Sequence, residues 1–282
     1  MHSSEWSLVF FTLLGQFSAG LLLTTLLLQH GAQSRSDIHN KALYAATAAM
    51  VVALLISFLH LSSPLASVYA LSNLKSSWLS REILMVSLFA GLLLLSSFLQ
   101  MRSPQMHRLQ SALQWTAAIA GLMMIWSMGR IYMLPTVPAW NTPATMLAFY
   151  GSAALTGPAF MALLLHTYTH KTNPLAAKQN MLLLLMVLAT GLLLKISATV
   201  FFSPPTAWQE TAFIPETMPL FWTVLQWTGL LAGAALTTLL LIKNPTEPQP
   251  SRLLPFAGFL LIVAAEIIGR AGFYMTFFRT GI

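Results

Sequence analysis

Cysteine is absent from all 282 residues. That excludes thiolate-ligated iron–sulfur clusters, thiolate zinc sites, disulfides and thiol catalysis within the chain. Charge is nearly as scarce: Asp, Glu, Lys and Arg together make up 7% of the residues, whereas a soluble domain carries about a quarter. Seven acidic and fourteen basic residues cannot clothe a water-facing surface of this length. Neither a Gly-rich phosphate loop nor a serine nucleophile elbow is present. Between Met1 and Leu8 there is no Lys or Arg, so the basic region of a cleaved signal peptide is missing and the first apolar run is expected to be a membrane helix.

What remains is hydrophobic. Apolar residues reach 56% and the mean hydropathy is +0.72, so lipid is the expected solvent. Helices that cross a hydrocarbon core need about 20 apolar residues each. The sequence offers eight such spans, near 6–29, 42–61, 82–100, 111–133, 146–168, 180–199, 219–242 and 253–277. The expected fold is therefore an all-α integral membrane bundle of eight transmembrane helices in a single polytopic domain, 1–282. Prolines mark the connections, as at Pro64, Pro104, Pro135, Pro174 and Pro204, while Pro158 falls inside the fifth span and predicts a kink there.

The basic residues orient the bundle. Connections one, three, five and seven hold Arg35, Lys41, Arg102, Arg108, Lys171, Lys178, Lys243 and Arg252. The other face holds only Lys75, Arg81, Arg130 and Arg279. The positive-inside rule then places both termini outside the cytoplasm, in the periplasm for a multi-pass protein of a bacterial inner membrane. The net charge of +7 is thus a topology signal and not a nucleic-acid surface, since no basic patch with interleaved aromatics forms a domain.

Ionisable groups inside a membrane are costly and informative. They gather toward one face: His60 at the end of span two, Arg81 and Glu82 opening span three, Arg130 and Tyr132 closing span four, Lys195 late in span six, and Glu266 with Arg270 in span eight. Glu266 and Arg270 are four residues apart and are expected to form a structural ion pair on one helix face. Arg81 and Lys195 read as interface anchors whose long stems reach polar surroundings. His60 reads either as a cap at the interface or as a proton acceptor for a lipid-soluble hydroquinone, because imidazole titrates near neutral pH. Glu82 is positioned to relay that proton. A bis-histidine haem needs two imidazoles facing each other at membrane depth; His60 and His166 fall at opposite faces, so no haem is expected. No His/Asp/Glu cluster has metal-ligand spacing.

Several short segments together resemble a known family. They are Gly15-Gln16 with Ala19-Gly20, Phe58-Leu-His60-Leu-Ser-Ser-Pro64, Leu79-Ser-Arg-Glu82-Ile83, Arg130-Ile-Tyr132, Thr136-Val-Pro138-Ala-Trp140, Glu266-Ile-Ile-Gly-Arg270 and Gly272-Phe-Tyr274. In order and spacing, over nearly the whole length, they are similar to the membrane anchor subunit of anaerobic dimethyl sulfoxide reductase, the DmsC-type family of complex iron–sulfur molybdoenzymes. The resemblance implies two partners besides the lipid bilayer: an iron–sulfur electron-transfer subunit and a molybdopterin catalytic subunit. It implies a menaquinol site carried over to His60 and Glu82, with Arg130 and Tyr132 as further pocket candidates. It also implies that this chain holds no haem, iron–sulfur cluster or molybdenum.

The sequence departs from the family pattern at three places. Ser62 stands where the family has Gly, Ala66 where it has Arg, and Arg81 where it has Asn. These departures leave the terminal acceptor open among dimethyl sulfoxide and related S- or N-oxides, and leave room for a purely structural anchor without its own quinol site. A secondary transporter is a further alternative, but it predicts inverted repeats and a polar midplane site, and the sequence shows neither.

Overall fold

The computed structural model describes residues 3–31, 36–58, 69, 71–168, 174–200, 220–242 and 253–277. Among them there are eight long helices and no β-strand. They are α1 (Ser3–Gly31), α2 (Ser36–Phe58), α3 (Trp78–Arg102), α4 (His107–Tyr132), α5 (Pro143–Tyr168), α6 (Pro174–Val200), α7 (Leu220–Ile242) and α8 (Leu253–Met275). All eight contain a stretch long and apolar enough to cross a membrane. The first six helices start three to six residues before the expected spans, because hydropathy registers only the apolar stretch, whereas α7 and α8 fall within theirs. Helix α3 starts four residues before Glu82, where Ser77 caps it by accepting the Ser80 amide proton at 3.3 Å. Pro143 and Pro174 open α5 and α6, where a missing N–H costs no helix bond.

Helices α1 and α5 form the centre. In its most apolar 18-residue window, 78% of α1 and 67% of α5 is buried, against 22% for α6 and α7, which therefore face lipid. The two central backbones meet at small residues. A Cβ added at Gly20 would run into the Ala153 carbonyl, and one at Gly157 would run into the Gly20 carbonyl. Close approach through small residues is the usual basis of helix association in lipid, where no hydrophobic force distinguishes a neighbouring helix from an acyl tail. The adjoining Pro158 sits within a continuous α5. Its missing N–H frees the Ala154 carbonyl, and Gly191 of α6 packs against that carbonyl, with an added Cβ only 3.0 Å from its oxygen.

A few hydrogen bonds tie the centre to its surroundings. Ser18 of α1 donates to the Ala46 carbonyl of α2 at 2.7 Å. The hydroxyls of Thr47 in α2 and Ser97 in α3 lie 2.7 Å apart, and Tyr150 of α5 donates to the Leu122 carbonyl of α4 at 2.9 Å. Around them packs an apolar core that includes Phe89, Met124, Met128 and Phe149, all fully buried. Helices α7 and α8 pair through Gly233 and Gly258, where a Cβ on Gly233 would approach the Gly258 oxygen to 2.9 Å. Outside Lys41–Asp37, a 2.5 Å pair near the start of α2, the described ion pairing and most buried charge sit in the other half of the bundle. That half contains the starts of α1, α3, α5 and α7 and the ends of α2, α4, α6 and α8; it is called the amino-terminal face below.

Candidate functional site

Two polar groupings lie toward the amino-terminal face. The first centres on Glu82, in the second turn of α3 and only 9% exposed. Among the described residues its carboxylate has no hydrogen-bond partner. The same end of the bundle holds two phenols, Tyr132 at the end of α4 and Tyr274 at the end of α8. Their hydroxyls are 2.6 Å apart, and either one can donate. Thr12 of α1 turns its hydroxyl to its own helix, donating to the Leu8 and Val9 carbonyls at 2.9 and 3.2 Å.

An aromatic wall encloses this hydroxyl pair. Trp140 lies edge-on to Tyr132, with centroids 5.4 Å apart, and stacks on Phe273 at 5.0 Å. Its indole N–H donates to the Phe273 carbonyl at 2.8 Å. The segment between α4 and α5 is thereby folded onto the end of α8, and Val137 within it is fully buried. Burial of both phenols, at 9% and 5% exposure, follows from this wall: each ring gives area to the core while its hydroxyl keeps a partner.

Nearer the bundle surface, Trp78 carries two cations on its ring. The guanidinium carbon of Arg81 is 4.2 Å from the ring centroid and that of Arg130 is 5.0 Å away. Arg81 also donates to the Leu74 and Lys75 carbonyls at 2.8 and 2.6 Å. These contacts tie the start of α3 to the segment that precedes it.

The second grouping is deeper. Lys195 of α6 reaches Glu266 Oε2 of α8 at 2.7 Å and Ser152 Oγ of α5 at 3.0 Å. Ser152 donates to the same Glu266 oxygen at 2.6 Å. Arg270 donates to Ser152 Oγ at 3.3 Å and to Gln16 Oε1 of α1 at 2.7 Å. Its guanidinium carbon lies over the Phe149 ring, 3.7 Å from the centroid. All five polar residues are buried, none above 7% exposure. Two of their atoms, Glu266 Oε1 and Gln16 Nε2, have no hydrogen-bond partner among the described residues. Four helices are joined here by polar contacts that lipid could not replace, which makes the cluster a strong local constraint on packing.

The expected site residues therefore fare differently. His60, with Ser62 and Ala66, lies outside the described residues. Glu82 and Tyr132 are both buried at the same end of the bundle, whereas Arg130 belongs to the Trp78 stack. Glu266 and Arg270 do share a face, but the expected ion pair between them is corrected: Glu266 pairs with Lys195, and Arg270 enters the cluster through Ser152 and Gln16. The reason is reach and stacking, since Phe149 and Gln16 hold the guanidinium away from its neighbour one turn back. Lys195 is corrected as well, from interface anchor to buried ion-pair partner. Sequence reasoning missed Ser152 as a shared bridge, and Tyr274 and Gln16 as hydrogen-bond partners. The last two did stand within the motifs that carried the family resemblance.

Eight apolar helices with their buried charge gathered toward one face define a multi-pass helical membrane protein. The family described as "DMSO reductase anchor subunit (DmsC)" matches residues 1–276, and the protein belongs to that family. It is 29% identical over 278 residues to the YnfH subunit of an anaerobic dimethyl sulfoxide reductase of Escherichia coli (strain K12), covering 96% of this sequence and 94% of that relative. It is 26% identical over 279 residues to the C subunit of the anaerobic dimethyl sulfoxide reductase of the same organism, covering 96% and 94%. The corresponding C subunit of Haemophilus influenzae (strain ATCC 51907 / DSM 11121 / KW20 / Rd) is 28% identical over 156 residues, covering 54% and 56%. No solved structure matches this sequence.

Proposed function

We propose that this chain anchors a respiratory reductase at the bacterial inner membrane and oxidises menaquinol at its amino-terminal face, which is the periplasmic face. The complex would contain an iron–sulfur electron-transfer subunit and a molybdopterin catalytic subunit that reduces dimethyl sulfoxide or a related S- or N-oxide. Oxidation of one quinol yields one quinone, two electrons and two protons. The electrons pass to the iron–sulfur partner docked over the amino-terminal face. The protons leave through His60 as first acceptor and Glu82 as relay. The observation that supports this reading best is Glu82 itself, a buried carboxylate at the end of the bundle that holds the Tyr132–Tyr274 hydroxyl pair, with no partner of its own among the described residues. A carboxylate without a committed partner, set just inside the bundle end, is equipped to receive a proton from a lipid-borne donor and return it to water.

The test uses membranes carrying the intact complex, comparing wild type with His60→Leu and Glu82→Gln. Loss of quinol-driven turnover, with membrane attachment and activity from an artificial soluble electron donor retained, is the expected result. Unchanged quinol turnover in both variants would leave the protein as an anchor alone.

A further inference from the structure

Trp78, the first residue of α3, holds two guanidiniums over one ring, with the Arg81 and Arg130 carbons 4.2 and 5.0 Å from its centroid. The two cations are therefore no farther apart than the sum of those distances. Like charges at that range repel, and an anion shared between them removes the repulsion. No carboxylate among the described residues pairs with either arginine. Glu82, next to Arg81, is buried and unpaired, and the flanking segments 59–77 and 133–142 contain no Asp or Glu. Hydrogen-bonding capacity is left over as well. A guanidinium has five N–H donors. Arg81 commits one to the Leu74 carbonyl and one to that of Lys75, while Arg130 commits none among the described residues.

The pair also sits where lipid headgroups lie. Trp78 opens one membrane-crossing helix, and Arg130 is the third residue from the end of the next. Tryptophan and arginine at such positions keep their polar parts at headgroup depth. Helices α3 and α4 pack side by side, and an exposed apolar surface runs away from the pair along both. On α4, Ile119, Met123 and Trp126 are exposed at spacings that put them on the face of Arg130. On α3, Leu88 and Leu95 are exposed on the face of Arg81, and between them a Cβ added at Gly91 would meet nothing within 4 Å. We propose that the Arg81–Trp78–Arg130 stack binds the phosphate of an anionic phospholipid, whose acyl chains lie along this surface.

Guanidinium suits a phosphate because its planar fork donates two parallel hydrogen bonds to the oxyanion. The choice of lipid over an acidic partner protein follows from depth. Ile119 lies eleven residues before Arg130, about 16 Å down the helix axis, and the face between them is apolar. A soluble partner docked on the bundle end would not cover that face, whereas an acyl chain does. The choice of an anionic lipid over a zwitterionic one follows from charge. Arg81, Arg130 and the exposed Lys75 would all repel the ammonium of an ethanolamine or choline headgroup. The site is independent of any quinol chemistry at Glu82.

The test uses the intact complex, purified in mild detergent, with the lipids that stay bound counted by mass spectrometry. Wild type should retain phosphatidylglycerol in preference to phosphatidylethanolamine. In nanodiscs of phosphatidylcholine with increasing phosphatidylglycerol, it should become more resistant to thermal unfolding. Arg81→Gln or Arg130→Gln should each raise the half-saturating phosphatidylglycerol fraction about fivefold, and Arg130→Lys, which keeps the charge but loses the fork, should raise it less. Arg102→Gln removes a cation stacked on Phe98 near the opposite end and should change nothing. An equal effect there would mean diffuse surface charge and overturn the proposal. Unchanged lipid retention in both arginine variants also overturns it. So does release of the partner subunits with lipid retention intact, which would make the stack a protein contact. If neither arginine variant assembles, the wild-type complex decides: equal retention of the two lipids overturns the proposal.

Discussion

Glu82 and Glu266 are the same residue type in the same half of the same bundle, yet their surroundings differ. Glu266 is 2% exposed and receives both Lys195 and Ser152 on one oxygen. Glu82 is 9% exposed, at the bundle margin, and has no hydrogen-bond partner among the described residues. A buried carboxylate held by a cation and a hydroxyl is committed: its energy is bound up with the helices that supply them. One without such partners among the described residues is not tied to helix packing in that way. The comparison assigns Glu266 to architecture and leaves Glu82 free for the chemistry proposed above.

That division can be broken experimentally, and the largest effect should be functional. Glu82→Gln keeps the size of the side chain and removes the titratable group. Quinol-driven turnover should fall by about 10²- to 10⁴-fold, the usual contribution of a general acid–base group, while thermal stability of the solubilised complex moves little. A large loss of stability instead would place Glu82 in the same class as Glu266.

The converse applies at the ion pair. Glu266→Leu leaves Lys195 buried without its anion, which typically costs about 3–5 kcal/mol. It should show as a marked drop in the protein's melting temperature or its level in the membrane. Pairing it with Lys195→Met should recover most of the loss, because an apolar pair of similar volume requires no desolvation of charge. Failure of the double variant to recover would mean that Ser152 and Arg270 depend on the pair for their own placement.

Smaller effects sharpen the contrast. Tyr132→Phe removes one hydroxyl of a buried pair, so about 0.5–1.5 kcal/mol is expected, detectable as a modest shift in thermal unfolding. At the opposite face, Asp37→Asn breaks the 2.5 Å pair with Lys41. Its exposed setting and the alternative contact of Lys41 with the Tyr168 ring at 3.8 Å limit the cost to about 0.5 kcal/mol. A change there as large as at Glu266 would contradict the view that burial, not ion pairing as such, sets these energies.

Much of this was legible from residue order. The span count followed from hydropathy, because a lipid core imposes a minimum length on every crossing helix. The positions of His60, Glu82, Tyr132, Glu266 and Arg270 stood out because ionisable or hydroxyl-bearing groups near apolar runs are rare. The i, i+4 spacing rightly put Glu266 and Arg270 on one face, but it could not supply the third party. Lys195 comes from α6, and Ser152, which all three share, comes from α5. Nothing in the sequence records that these helices converge, since Lys195 read alone looks like any lysine near a helix end. Ser152 is still less visible, as one of several serines in apolar helices with no local mark to separate it.

Residue order by itself therefore determined the solvent of this protein, the number of its crossings, its family and the face toward which its charge collects. Each of these depends on composition or on short-range spacing. Tertiary structure alone decided which helices are central, which cation meets which carboxylate, and that two phenols from α4 and α8 share a hydrogen bond. The physical reason is the lipid. A helix in water shows its buried face by being apolar only there, but a helix in a bilayer is apolar toward lipid and core alike. Its inward direction is set by small residues such as Gly20 and Gly157 and by polar groups that must find one another, and those choices are made only when the helices meet.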